Sequence, residues 1–206
     1  MVVYSNKPKR IASMERTDKN LIEAHLQGDR TAFEQLVRRY GDSVLRYLMR
    51  MSGNRDRAED FFQETFKRVH EKAHTFRGKR FRSWLFTIAT NVAIDGLRKQ
   101  RQLPMLSLNQ KFDCADDRSR ELDAVAVAED VGGPAQEAIR AEQAEQVRQV
   151  IGLLPARQRA TLVLAYYQQL SYSEVAEVMN CSVGTVKRQM FRALKTLAEK
   201  LPDISR

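Results

Sequence analysis

Two short stretches of this chain hold side chains whose types and spacing could do chemistry. Residues 70–74 read HEKAH, the H-E-x-x-H pattern in which two imidazoles one helical turn apart hold zinc and the glutamate serves as general base for hydrolysis. Residues 182–197 read SVGTVKRQMFRALKTL, where Thr185, Arg188, Arg192 and Lys195 recur at steps of three, four and three and so share one helix face. A guanidinium on such a face donates two hydrogen bonds to a guanine edge or pairs with a phosphate. The first stretch suggests a metalloprotease, the second a reader of nucleic acid.

Only the second has the surroundings it needs. A zinc protease requires a third ligand and an apolar cleft around the metal. The one other histidine, His25, lies upstream, and the chain continues past His74 as TFRGKRFRSW, which is basic rather than apolar. No metal, no cofactor and no enzymatic activity are expected. Cys114 and Cys181 lie far apart in no metal-type spacing and read as reduced thiols of a cytoplasmic protein.

The elements that would position the basic face have the layout of a helix-turn-helix. Ser171 and Glu174 make a capping box at the start of one helix. Ala176 is small where a second helix would cross, Asn180 tolerates the left-handed turn between them, and Ser182 can cap the second helix. Val183, Val186, Met190, Leu194 and Leu197 are expected to form its buried stripe. Gly184 costs about 1 kcal/mol in a helix interior relative to alanine. At a helix start it leaves room for backbone amides to approach a phosphate, and a recognition helix enters the major groove N-terminus first.

Charge placement agrees with a polyanionic partner. The 206 residues carry a formal net charge of +9. Residues 1–101 hold 22 Lys/Arg against 12 Asp/Glu, residues 102–145 hold 4 against 10, and residues 146–206 hold 9 against 4. Two basic blocks therefore flank an acidic connector, which includes Gly132-Gly133-Pro134, a break in any helical pattern. Apolar residues on both sides fall at three- and four-residue steps: Phe33, Leu36, Val37, Tyr40, Val44, Leu45 and Leu48, then Phe62, Phe66, Val69 and Ala73, then Leu85, Ile88 and Val92. The expected fold is all-α, two small helical domains joined by a flexible acidic linker. No apolar run approaches the ~20 residues that would span a bilayer, so no membrane insertion is expected. The basic start MVVYSNKPKRIASMER lacks the apolar region of a secretory signal and reads as a disordered arm.

Three segments in one order carry a family resemblance: DRAEDFFQETFKRVHEKAHTFRG (56–78), FRSWLFTIATNVAIDGLRKQR (81–101) and LPARQRATLVLAYYQQLSYSEVAEVMNCSVGTVKRQMFRAL (154–194). They resemble the extracytoplasmic-function (ECF) sigma factors of the bacterial sigma-70 superfamily. The resemblance implies a subunit that directs core RNA polymerase to specific promoters by recognising their −10 and −35 elements and helping to melt them. It divides the chain into a disordered basic arm (1–17), sigma region 2 (18–101), an acidic linker (102–134) and sigma region 4 with the helix-turn-helix (135–206). It implies −35 contacts by Gly184, Thr185, Lys187, Arg188, Arg192 and Lys195. It implies −10 contacts by Phe76, Arg77, Gly78, Lys79, Arg80, Asn91 and Arg98, with a flipped base entering a pocket between the 76–78 loop and Asn91. Asp60, Gln63, Glu64 and Lys67, on the exposed side of the 56–69 helix, are implied to bind core polymerase. The implied partners are the clamp of its largest subunit, the flap of its second-largest subunit, promoter DNA and an anti-sigma factor. Trp84, beside Leu85 and Ile88, reads as a core residue rather than a melting wedge. A stand-alone helix-turn-helix regulator would account for residues 150–200 but leave the other two segments without a task.

Overall fold

The computed structural model describes residues 16–78, 80–102 and 134–201. All regular structure among them is helical. The N-terminal arm before Arg16, Lys79 and most of the acidic connector lie outside the described residues.

The first block is built on one long helix. α1 (Asp18–Leu26) begins at Thr17, whose side chain accepts the Asn20 amide. α2 (Arg30–Ser52) begins at Asp29, whose carboxylate accepts the Thr31 and Ala32 amides. The Thr31 hydroxyl and the Arg16 guanidinium, also bonded to this carboxylate, hold its pKa down at about 2. α2 stops at Gly53, which adopts φ +66 and returns its N–H to the Met49 carbonyl at 2.8 Å. Asn54 then caps α3 (Arg55–Lys72), a short 3₁₀ turn (Ala73–Thr75) follows, and α4 covers Phe81–Gln102.

The stripe expected along α2 is its inward face, with Leu36, Val44 and Leu48 buried and Phe33, Val37, Tyr40 and Leu45 half-buried around them. It meets Phe66 and Val69 of α3 and Leu85, Phe86 and Ala89 of α4. The buried Tyr47 hydroxyl is matched to Thr90 Oγ1 at 2.8 Å, and its ring stands edge-on to Phe86. Burial therefore leaves that hydroxyl paired rather than orphaned. On the outer side, Asp18 accepts hydrogen bonds from Arg39 and from the Tyr40 hydroxyl, both at 2.6 Å, tying α1 to α2.

The second block comprises α5 (Pro134–Leu153), α6 (Ala156–Leu162), a π-helical turn (Val163–Tyr167), α7 (Tyr172–Met179) and α8 (Val183–Lys200). Pro134, the expected breaker, is the first residue of α5, where a missing N–H costs nothing. The π turn is closed by the Gln168 amide reaching the Val163 carbonyl at 3.1 Å.

The sequence suggests two domains on a tether; the structure has them docked. One continuous apolar core runs from α1 through α8. Across the seam, Ser43 Oγ donates to Gln168 Oε1 (2.7 Å), Gln168 Nε2 donates to the Ser43 carbonyl (3.3 Å), and Arg82 Nη2 donates to the Gln168 carbonyl (2.6 Å). Arg159, almost fully buried, donates to the Met51 carbonyl at the end of α2 and to the Gly152 and Leu154 carbonyls at the end of α5. A cation there meets the negative ends of two helices at once.

Close approach within the first block puts one glycine under steric constraint. A Cβ on Gly96 of α4 would lie 2.4 Å from Cε1 of Phe61. Helix propensity favours Gly96→Ala by about 1 kcal/mol, whereas overpacking costs about 1–3 kcal/mol. The expected outcome is a net loss on the order of 1 kcal/mol in denaturant unfolding. The same change made with Phe61→Ala should instead stabilise relative to Phe61→Ala alone. Equal effects in both backgrounds would show that the ring simply moves aside.

Candidate nucleic-acid and polymerase interfaces

The helix-turn-helix is assembled by local chemistry that the sequence already carries. Ser171 Oγ accepts the Glu174 amide at 3.3 Å, and Glu174 Oε2 accepts the Ser171 amide at 2.9 Å and its hydroxyl at 2.7 Å. These bonds to Ser171, helped by nearby Arg80 and Arg82, lower the Glu174 pKa below the usual carboxylate value. Asn180 takes φ +48, and Cys181 returns its N–H to the Ala176 carbonyl at 3.0 Å. Ser182 Oγ then accepts the Thr185 amide at 3.1 Å to start α8.

α8 has one buried and one basic side. Val186, Met190 and Ala193 are buried, with Leu197 packed behind them. Val183 and Leu194, expected in the same stripe, are instead 37% and 52% exposed. The reason is phase: at 100° per residue both lie well round the helix from Val186 and Ala193, which face α6 and α7. Lys187, Arg188, Arg192 and Lys195 are exposed together, and Gly184 has open space where a Cβ would stand. Lys195 makes a 3.9 Å pair with Glu199, while Lys187, Arg188 and Arg192 have no ion pair among the described residues. Phe191, at 69% exposure, stands amid these cations. Three of these four exposed cations therefore have no ion pair among the described residues.

The other set of candidate residues lies at two places on the first block. Phe76 is half-buried, packed against Phe81 and Trp84 with centroids 5.5 Å from each. Trp84 is likewise half-buried against the core, as expected. Arg77 is exposed, and Gly78 adopts φ +84, which only glycine takes without strain. Arg80 is exposed yet paired with Glu177 of α7 at 3.1 Å. Asn91 is exposed on α4, about 15 Å along the helix from Phe81. Arg98, exposed near the end of α4, pairs with Asp95 at 3.2 Å. Phe76, Phe81 and Trp84 thus form one aromatic corner, with Gly78 beside Lys19, while Asn91 and Arg98 lie further along α4.

On α3, Asp60, Gln63 and Lys67 are exposed together, opposite buried Ala58, Thr65, Phe66 and Val69. Glu64, expected on the same exposed side, is partly exposed and bonded to Arg68, one turn on, at 2.6 Å.

HEKAH does not lie on one helix. α3 ends at Lys72, and His74 falls in the 3₁₀ turn that follows. His70 packs instead against His25 (tilted) and Phe33 (edge-on), centroids 4.9 and 5.6 Å apart. No group of three or more His, Cys, Asp or Glu side chains placed to hold a metal occurs among the described residues. The residues that sequence reasoning missed are Ser43, Arg50, Arg159 and Gln168, which make the seam between blocks and carry no local signature.

Comparison with known proteins agrees with this arrangement. Residues 36–102 match Sigma-70 region 2, and residues 144–197 match Sigma-70, region 4. The ECF RNA polymerase sigma factor SigW of Bacillus subtilis (strain 168) is 33% identical over 93% of this chain and 100% of its own. A solved structure of CnrH in complex with the cytosolic domain of CnrY has 23% identity and a TM-score of 0.60, covering 90% of this chain and 97% of that one. RpoE in complex with the anti-sigma factor NepR from Bartonella quintana has 24% identity and a TM-score of 0.56, covering 83% and 97%. Both structures share the fold. The chain belongs to the ECF RNA polymerase sigma factors of the sigma-70 family.

The caps give a direct test of how α8 is held. Ser182→Ala removes the acceptor of the Thr185 amide and should cost about 0.5–2 kcal/mol, read as a lowered midpoint in urea. Ser182→Asp should recover it. A Ser182→Ala midpoint matching the parent's would mean that water caps the helix equally well.

Proposed function

We propose that this chain is the promoter-specificity subunit of RNA polymerase, a sigma factor of the ECF type, which directs the core enzyme to −10 and −35 elements and initiates melting there. The observation that carries the reading is the pairing of two parts on one chain. A Sigma-70 region 2 block is followed by a Sigma-70 region 4 block whose α8 presents Lys187, Arg188, Arg192 and Lys195 to solvent. The second block alone would serve a stand-alone regulator; the first block is what such a regulator would not need.

In this reading α8 enters the major groove of the −35 element with Gly184 and Thr185 leading, and Arg188 and Arg192 reach base edges. The 76–80 loop, Asn91 and Arg98 serve the −10 element, where a base leaves the stack. Asp60, Gln63 and Lys67 meet core polymerase, with Glu64 orienting Arg68 beside them. The subunit supplies recognition and no chemistry of its own, and it works in the cytoplasm, where polymerase and DNA are. No helix among the described residues is long and apolar enough to cross a membrane. Because RpoE is held by an anti-sigma factor in its solved complex, an anti-sigma factor is the expected regulator here as well.

Run-off transcription with core polymerase tests the whole reading: promoter-specific transcripts should require both the chain and the core. Gel shifts that show tight specific binding without core would favour the regulator. Within that assay, Arg188→Ala should lose about 1–3 kcal/mol at a cognate −35 element and less on mismatched sequences. Lys195→Ala should weaken all sequences alike and flatten the salt slope. Equal losses on every sequence for both variants would reduce Arg188 to a phosphate contact. Separately, Asp60→Lys with Gln63→Ala, both on the exposed side of α3, should abolish co-purification with core polymerase while moving stability by less than about 0.5 kcal/mol. Retained co-purification would move the polymerase contact elsewhere.

A further inference from the structure

The start of α1 and the loop assigned to the −10 element are built as one unit. Asp18, the first residue of α1, accepts the Tyr40 hydroxyl at 2.6 Å, and the Tyr40 ring packs on Phe81 with centroids 5.2 Å apart. Phe81 in turn stands edge-on to Phe76, centroids 5.5 Å apart. Three contacts therefore run from the helix start to the loop, and close packing lets neither end move alone. Lys19 lies against the loop itself, its Cδ 3.5 Å from where a Cβ on Gly78 would stand. Arg77, one residue before Gly78, is exposed, so Lys19 adds a cation beside it. The Lys19 ammonium is 3.7 Å from Glu23, and both side chains are more than half exposed. A pair of that kind is weak and yields to a phosphate.

The same corner fixes where the preceding chain leaves. The Arg16 guanidinium holds Asp29 at 2.9 Å, and the Arg16 carbonyl accepts Arg39 Nη2 at 3.0 Å. Asp18 and Asp29, which would otherwise repel DNA here, are each engaged, the first by Arg39 at 2.6 Å and the second by Arg16. Before this anchor, residues 1–15 hold Lys7, Lys9 and Arg10 against one acid, Glu15. Arg10 lies six positions before Arg16, a span of at most ~20 Å. That is about six base-pair steps of duplex.

We infer that the start of α1 and the basic stretch before it form a second contact with the DNA backbone beside the −10 loop. Lys19 meets the phosphate nearest the loop, and Arg10, Lys9 and Lys7 meet phosphates further along. The inference rests on the promoter-reading function proposed above. Contacts of this kind position a protein on DNA without reading its sequence, and basic arms ahead of a helical reading unit make them in other DNA-binding folds. They also have a task here. Drawing a base out of the stack is costly, and grip on the adjacent backbone offsets that cost at the place where it arises.

The test binds the full chain to core polymerase and measures its affinity for one promoter fragment across a series of salt concentrations. The parent is compared with Lys19→Ala and with the triple change Lys7→Ala, Lys9→Ala and Arg10→Ala. Each phosphate contact to duplex contributes about 0.9 to the slope of log affinity against log salt. Lys19→Ala should therefore flatten the slope by about 0.9 and the triple change by about 2.7. Lys19→Arg should keep the parent's slope, and in every variant the ranking of promoter sequences and co-purification with core polymerase should be unchanged. A photocrosslinking benzophenone residue in place of Ser13 should mark DNA within about six base pairs of the −10 element. The parent's slope in either alanine variant, crosslinks centred on the −35 element, or loss of core binding in place of the slope change would each overturn the proposal. Failure of the parent itself to form a promoter-specific complex with core polymerase would instead overturn the function on which the inference rests.

Discussion

The first block, and its junction with the second, are positioned by the two faces of α2. Its inward stripe of Leu36, Val44, Tyr47, Leu48 and Met51 is fully buried and receives α1, α3 and α4. Its remaining flank carries Ser43, Arg50 and the Met51 carbonyl, the three groups that the second block grips. One helix therefore carries both an apolar surface, which is costly to expose, and a polar one, which water can replace. Apolar burial at roughly 25 cal/mol per Å² holds the first block together. The seam continues that apolar core and adds polar groups whose net contributions are each about 1 kcal/mol.

The same division explains where sequence reading succeeds. The capping box at Ser171 and Glu174, the left-handed Asn180 and the Ser182 cap were all legible, because each is a contact within a few residues and its chemistry is written locally. The stripe of α2 was legible because one face of it is buried along most of its length. The stripe of α8 was legible only in part. Its phase is fixed by α6 and α7, so Ala193 is buried while the larger Leu194 next to it is not. Size and hydrophobicity suggested the opposite assignment.

Two features had no local signal at all. The end of α3 at Lys72 is marked by neither glycine nor proline, and Ala73 keeps a helical backbone, so HEKAH read as one continuous helix. The docking of the blocks depends on Ser43 and Gln168, which are 125 positions apart, and on a glutamine whose inward aim follows from a π turn. Residues of ordinary type, in ordinary surroundings, form the seam. Only the three-dimensional arrangement shows that Gln168 and Arg159 are buried, and burial is what gives a polar side chain its specificity.

The unpaired basic face of α8 has a consequence for search. Lys187, Arg188 and Arg192, with no counter-ions among the described residues, attract any duplex, and a genome offers on the order of a million or more non-specific sites for each specific one. A subunit that displayed all its cations at once would be absorbed by that excess before it met polymerase. Under the proposed function, α8 faces duplex while Arg80 and Arg82 are occupied by Glu177 and Gln168, so fewer cations are free for random DNA. Short dwell times on the wrong sequence keep the pool of free subunit high, and the concentration available to polymerase is then governed less by affinity for promoters than by weakness toward everything else.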